Sequence, residues 1–208
     1  MKIGMIAGSI PIPFFINQLI LNLASEDHKV FIYGALKSNV KLNKYLFIYF
    51  RVQPKLKSIK IIKSFFFIFK IIFKNNVSST TLLSEIWGNS GQLLRFFNRC
   101  LVVLPPFLDD LDILHIHWAK TLVYYPEFIN QINCPICLSL RGTHINVSPK
   151  IDKNLAILYK KYFPKVRRFH AVSEKIAFEV KKYGVKDNIT VIKPAINEKL
   201  LDLPISHT

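Results

Sequence analysis

Short apolar runs alternate with stretches of helical periodicity along most of this chain. Lys2 to Ala7 (KIGMIA) is an apolar run ending at Gly8-Ser9, the pattern of a buried first strand. Pro11 and Pro13 mark a loop. Phe14 to Leu23 then places Phe15, Leu19 and Asn22/Leu23 at helical spacing, and Lys29 to Tyr33 (KVFIY) reads as a second strand closed by Gly34. Strand, helix and strand in so short a span make a βαβ unit, hence a parallel sheet with a right-handed crossover.

The alternation resumes after residue 110. Asp112 to Trp118 (DILHIHW), Pro135 to Leu140 (PICLSL), Arg168 to Val172 (RFHAV) and Ile189 to Ile192 (ITVI) read as strands. Thr121 to Gln131, Lys153 to Phe163 and Ser173 to Tyr183 read as the helices between them, the last ended by Gly184. Thr81 to Leu104 reads as helical, broken near Gly88 to Gly91 and ended by Pro105-Pro106. The pattern predicts an α/β fold: a Rossmann-like doubly wound parallel sheet with a basic helical insertion after strand two. The expected domain covers 1–198, with the insertion at about 35–110 and a linker or tail at 199–208.

Composition fits one such domain, since half of the 208 residues are hydrophobic. Charge changes the picture more. The formal net charge is +16, yet Lys29 to Ser84 holds eleven Lys or Arg and no acid, against 18 basic and 13 acidic residues elsewhere. AT-rich coding also enriches Lys, Ile, Phe and Asn, but it does not strip acids from one segment alone. A block of this kind suits an anionic partner: phospholipid, polyphosphate or nucleic acid. Nucleic acid is disfavoured, because no RNA- or DNA-binding motif accompanies the block.

Within it, Lys60, Lys63, Lys70 and Lys74 share one narrow stripe at 100° per residue, and Ile and Phe cover most of the remaining circumference. The lysines interrupt any bilayer-spanning run. The pattern predicts an interfacial helix with these lysines facing anionic lipid, or else a helix packed on its own domain with a solvated lysine face. No secretory signal precedes the three cysteines, so a reducing cytoplasm is the simplest location, with the protein peripheral on the inner membrane face.

Ligands of open parallel sheets bind beyond the carboxyl ends of the strands. Gly8 and Ser9 stand at the first such end, either as an ordinary tight turn or as a close approach to phosphate. His115 and His117, two apart, share one strand face, as ligand contacts or as core histidines; a metal would need a third ligand, and none is assigned. Arg141-Gly142-Thr143-His144 is the strongest cluster: a guanidinium fork suited to anions, and an imidazole suited to sugar hydroxyls or proton transfer. Ser173 and Glu174 open a helix, as a cap or an anion contact. Cys134-Pro-Ile-Cys137 enters a strand rather than opening a helix, which argues against redox or zinc use.

Taken in order, the segments IPIPFFINQLILNL, DILHIHW, SLRGTHI, FHAVSEKIAFEVKKYGV and NITVIKPAIN resemble the N-terminal domain of family-4 GT-B glycosyltransferases. The resemblance spans nearly the whole chain outside 35–110. It implies the acceptor-binding half of a retaining enzyme without a bound cofactor, acting on a sugar or lipid-linked acceptor in cell-surface polysaccharide or glycolipid synthesis. It also implies that Arg141 and His144 line the cleft as catalytic residues, with Gly8. The partner domain of such enzymes holds the nucleotide-diphosphate sugar. Because the linker is expected to begin at Ile196-Asn197, that domain is expected to be absent here and supplied by a separate chain or lost by truncation. The alternative is a non-catalytic, membrane-docking sugar-binding module.

Overall fold

The computed structural model describes residues 1–10, 12–36, 47–54, 56–74 and 78–194. Pro11, residues 37–46, 55 and 75–77, and the expected linker start and tail at 195–208 lie outside the described residues.

Among the described residues seven strands form one parallel sheet in the order β3-β2-β1-β4-β5-β6-β7. They are β1 Lys2–Ile10, β2 Lys29–Leu36, β3 Ile48–Gln53, β4 Ile113–Ile116, β5 Ile136–Leu140, β6 Arg168–Ala171 and β7 Ile189–Val191. The strand order reverses between β1 and β4, so the connections diverge there and leave a crevice at the carboxyl edge.

Alternate residues of β1 serve the two faces of the sheet. Met5 and Ala7 pack with Val30 and Ile32 of β2 and with Ile16 and Ile20 of α1 (Phe14–Ser25). The buried stripe of α1 is therefore one position off the expected Phe15-Leu19 stripe, and both of those side chains are exposed. Ile6 faces the larger core on the other side, with Leu114, Ile116, Leu138 and Phe169. On that face a Cβ at Gly4 would collide with Leu111 and press on Tyr33, so this position of β1 accepts only glycine without local movement.

The expected insertion also contains a strand. Ile48–Gln53 (IYFRVQ) pairs with β2 as β3, so the basic block belongs partly to the sheet. Its helices are α2 (Lys57–Ile72), α3 (Ser79–Gly88) and α4 (Leu93–Leu108). Pro105 and Pro106 do not end α4; they occupy its last turn, buried. There the helix gives up two backbone hydrogen bonds and places two apolar rings in the core. Ser64 Oγ donates to the Phe97 carbonyl at 2.8 Å and Lys74 Nζ to the Phe107 carbonyl at 2.7 Å. The same 33-residue offset at both points makes α2 and α4 parallel and in register.

The outermost face of α2 is apolar. Ile62, Phe69 and Phe73 at its end are 68%, 62% and 69% exposed. The lysine stripe is not outermost but lies along one flank of this face. Lys60, Lys63 and Lys74 are half-buried; Lys74 pairs with Asp110, and Lys70 alone of the four is exposed, its ammonium 4.5 Å from the Phe66 ring centre. No helix among the described residues is long and apolar enough to cross a membrane.

Beyond β4 the chain returns to short elements. The expected helix over Thr121–Gln131 is two, α5 (Ala119–Tyr124) and α6 (Glu127–Gln131), parted at Pro126. Two single turns that periodicity did not announce follow β5: α7 (Gly142–Asn146) and α8 (Ser148–Ile151). Next comes α9 (Lys153–Tyr162), capped by Asp152, whose carboxylate accepts from the Leu155 N–H at 3.1 Å. α10 (Glu174–Val180) then leads through a 3-10 turn to Gly184, whose φ of 82° ends it.

Candidate functional site

A parallel sheet brings the ends of β1, β4 and β5 to one edge. Gly8 is not the turn after β1 but a bulge inside it. Its φ is +80°, the register with β2 shifts between Ile6 and Gly8, and the strand runs on through Ser9 to Ile10. Gly8 is exposed, and a Cβ there would lie 3.8 Å from the Trp118 indole. The start of α1 lies several residues further on, so no glycine loop leads straight into a helix N-terminus as in phosphate-binding loops. Ser9 is half-buried and pairs with Ala35 of β2.

Trp118 lies two residues past β4. Its indole N–H donates to the Ala7 carbonyl at 3.2 Å, which fixes the ring over the bulge. The His144 ring lies 5.5 Å from it, centre to centre. His144 sits in α7, one turn past Arg141, which is the residue preceding that helix. The Tyr159 hydroxyl donates to the His144 carbonyl at 3.0 Å and ties α7 to α9. The Arg141 guanidinium lies over Phe15, 4.1 Å from the ring centre, and 5.8 Å from that of Trp118. Arg141, His144 and Gly8 thus gather around two aromatic side chains, Trp118 and Phe15.

His115 and His117 do share one strand face, with ring centres 4.2 Å apart. Their surroundings differ. His115 Nε2 meets Ser139 Oγ at 2.8 Å, Ser139 Oγ meets His170 Nδ1 at 3.0 Å, and His170 Nε2 meets the Ile192 carbonyl at 3.1 Å. Since the carbonyl only accepts, every link is satisfied when His170 Nε2, the Ser139 hydroxyl and His115 Nε2 each donate. Burial, with His170 and Arg141 nearby, pushes His115 down to about 4. His117 is 1% exposed, and neither of its ring nitrogens has a hydrogen-bond partner. Burial first, then the neighbouring His115, depresses it further.

The other buried side-chain atoms without partners, among the described residues, are Arg141 Nε, His144 Nδ1 and Asn146 Oδ1. Buried polar groups are nearly always bonded, so orphans confined to His117, Arg141 and α7 mark this edge as the candidate ligand surface. Burial lowers the pKa of Arg141, which remains a cation. Burial, and then the charge of Lys120, lowers that of His144 and favours a neutral imidazole at pH 7. A cation and an imidazole with an open nitrogen, set on an aromatic floor, can bind an anion and a sugar hydroxyl side by side.

Ser173 caps α10, accepting from the Ile176 N–H at 3.4 Å, and Glu174 is exposed in the first turn, where it complements the helix dipole. Burial pushes the free thiols of Cys134 and Cys137 up to about 11, the opposite of an activated redox pair. No group of three or more His, Cys, Asp or Glu among the described residues is placed to hold a metal ion. Phe15 and Asn146 escaped the sequence reading. Phe15 looks like any apolar helix position, and Asn146 belongs to a helix too short to show a period.

Residues 14–200 match the family described as Glycosyltransferase Family 4. No curated protein sequence matches the chain. The fold is similar to that of an E. coli GT-B glycosyltransferase, the trehalose-6-phosphate protein solved with UDP-2-fluoro glucose, at 14% identity and a TM-score of 0.53. That match covers 97% of this chain and 50% of the other, so the chain spans about half the length of that protein. On a family match over most of its length and a sheet of the same architecture, the chain belongs to Glycosyltransferase Family 4.

Proposed function

We propose that this chain is the acceptor-side half of a retaining sugar transferase whose nucleotide-sugar is held mainly by a second domain, in the same polypeptide or another. The observation that carries this reading is the set of unpartnered buried atoms on His117, Arg141 and His144 at the carboxyl edge of the sheet. Among the described residues no polar group meets them, which leaves them open to a ligand. The E. coli structure of the same fold was solved with a nucleotide sugar, which favours a donor of that class.

In such a transfer the bond from the sugar C1 to the diphosphate oxygen breaks, and an acceptor hydroxyl oxygen bonds to C1. The hydroxyl proton leaves with the diphosphate. The Arg141 guanidinium, held over Phe15, supplies fixed positive charge near the departing diphosphate. The neutral His144 imidazole offers its open Nδ1 to a sugar hydroxyl and orients it.

The setting is the cytoplasmic face of a membrane, in cell-surface polysaccharide or glycolipid synthesis. The apolar outer face of α2 and the acid-free basic block around it support peripheral attachment to anionic lipid.

The test is His144→Ala and Arg141→Ala in the enzyme with its donor-binding half present. Each should lower kcat/KM for transfer at least tenfold with the fold intact by circular dichroism. Arg141→Lys should rescue poorly, because the fork is lost. Unchanged transfer in both variants refutes the assignment. Sugar binding without transfer by the complete protein identifies a binding module instead.

A further inference from the structure

A second depression opens at the same sheet edge, on the side of the basic block. It is a cavity of about 390 Å³ lined by Gln53 at the end of β3, Lys60 in α2, Asn89 after α3, and Arg95, Asn98 and Arg99 in α4. No acid lines it. Arg99 is committed: its guanidinium donates to Glu127, which is fully buried, and to the Tyr124 carbonyl at 2.6 Å. Among the described residues, Lys60, Arg95 and Asn98 make no side-chain hydrogen bond or ion pair. Asn89 is committed too, donating to Glu127 at 3.1 Å, so the cations of Lys60 and Arg95 and the amides of Asn98 and Gln53 converge on one acid-free hollow.

The hollow communicates with the cleft. Gln53 and Tyr125 line both it and a smaller cavity, which extends to Gly8 and Thr121. It also borders apolar surface. Leu56 and Ile59 precede Lys60 along α2, Leu93 and Leu94 precede Arg95 on α4, and all four are exposed. Because α2 and α4 run parallel in register, this rim continues into the exposed Ile62, Phe65 and Phe69 face.

We propose that this hollow binds the phosphate of an acceptor that carries a hydrocarbon chain, the chain lying along the apolar rim of α2 and α4. The inference rests on the transferase reading above and adds its acceptor class. The chemistry follows from the lining: Arg95 and Lys60 match a phosphate of two or more charges, and Asn98 and Gln53 complete its hydrogen bonds. A water-soluble anion would leave the rim unused, and a neutral lipid would leave the cations unused.

The 208-residue chain is titrated with decyl phosphate below its micelle concentration, with inorganic phosphate, and with decyl glucoside, using calorimetry. Decyl phosphate should bind at least tenfold more tightly than either of the others. Lys60→Gln with Arg95→Gln should weaken it at least tenfold, whereas Lys2→Gln with Lys29→Gln, at the opposite sheet edge, should change it less than twofold. Lys60→Arg with Arg95→Lys should retain most of the affinity and shows that a loss in the Gln pair is not misfolding. Equal affinity for inorganic phosphate overturns the proposal in favour of a soluble anion, and equal affinity for decyl glucoside reduces the rim to a nonspecific apolar patch. An equal loss in the Lys2/Lys29 pair reduces the cations to diffuse surface charge. Binding is read without donor or turnover, so its failure leaves the transferase reading standing, and failure of the cleft variants leaves this binding unaffected.

Discussion

Trp118 and His144 meet across the gap between β4 and α7, their ring centres 5.5 Å apart and their planes inclined at 48°. One residue lies just past a strand and the other in a single helical turn after the next strand, so the sheet's parallel topology brings them together. The contact covers part of the half-buried imidazole, and burial lowers its pKa. Trp118→Ala should rehydrate the ring and move the His144 pKa up toward the ordinary histidine range. An NMR titration of the imidazole signals reads this directly; an unchanged pKa would show that α7 alone buries the ring.

His115 in β4 and His117 just past it make stability depend on pH. His115 titrates at about 4 when folded, against an ordinary value of 6.5. Between those values the unfolded chain binds a proton that the folded chain refuses, so stability is complete above about pH 6.5 and falls as pH drops toward 4. His115 alone should account for roughly 3 kcal/mol of that loss. His117, depressed further by burial, adds to it in the same direction. His115→Gln keeps a donor for Ser139 and should reduce the slope of unfolding free energy against pH by about one proton, as urea melts from pH 7 to 4 would report.

Glu127 is a buried carboxylate in α6, held by the Arg99 guanidinium and by Asn89 at 3.1 Å. Glu127→Ala leaves Arg99 partly buried without its counter-ion, a change that costs roughly 3–5 kcal/mol. Thermal melting should show a fall in Tm of about 12 °C at the midpoint of that range, given roughly 2–4 °C per kcal/mol for chains of this size. A fall of only a degree or two would mean that water already reaches the pair.

The outer face of α2 separates membrane attachment from folding. Ile62, Phe69 and Phe73 are largely exposed, so replacing all three with Ser removes little burial from the folded chain. Tm should stay within about 3 °C, as expected of surface changes. Binding to vesicles rich in anionic lipid should drop at least tenfold, since each large apolar side chain inserted contributes about 1.5–3 kcal/mol. In the native chain that binding should weaken as salt rises, because screening removes the lysine contribution. Vesicle binding that persists in the triple Ser variant would move the attachment elsewhere.

The sequence by itself determined the parallel α/β sheet, because apolar runs bounded by Gly and Pro leave few other ways to bury them. It also determined the family, through ordered segments such as DILHIHW and SLRGTHI. It gave Arg141, His144 and His117 as residues near strand ends, since strand length fixes where a strand stops. Tertiary structure decided the rest. β3 was hidden because IYFRVQ lies in a block whose lysines suggest helix, and its strand character comes from pairing with β2. The lysine stripe looked outermost because periodicity gives the angular spacing of side chains but not which arc is buried; packing of Ser64 and Ile71 against the domain turned the phenylalanines outward. Gly8 looked like a turn because a bulge differs from a turn only in whether the next residues find a partner strand, and Ser9 and Ile10 do. Phe15 beneath Arg141, and Lys60 and Arg95 around one hollow, join elements far apart in the chain. No local pattern encodes them, because the sheet order that closes those distances is a property of the whole fold.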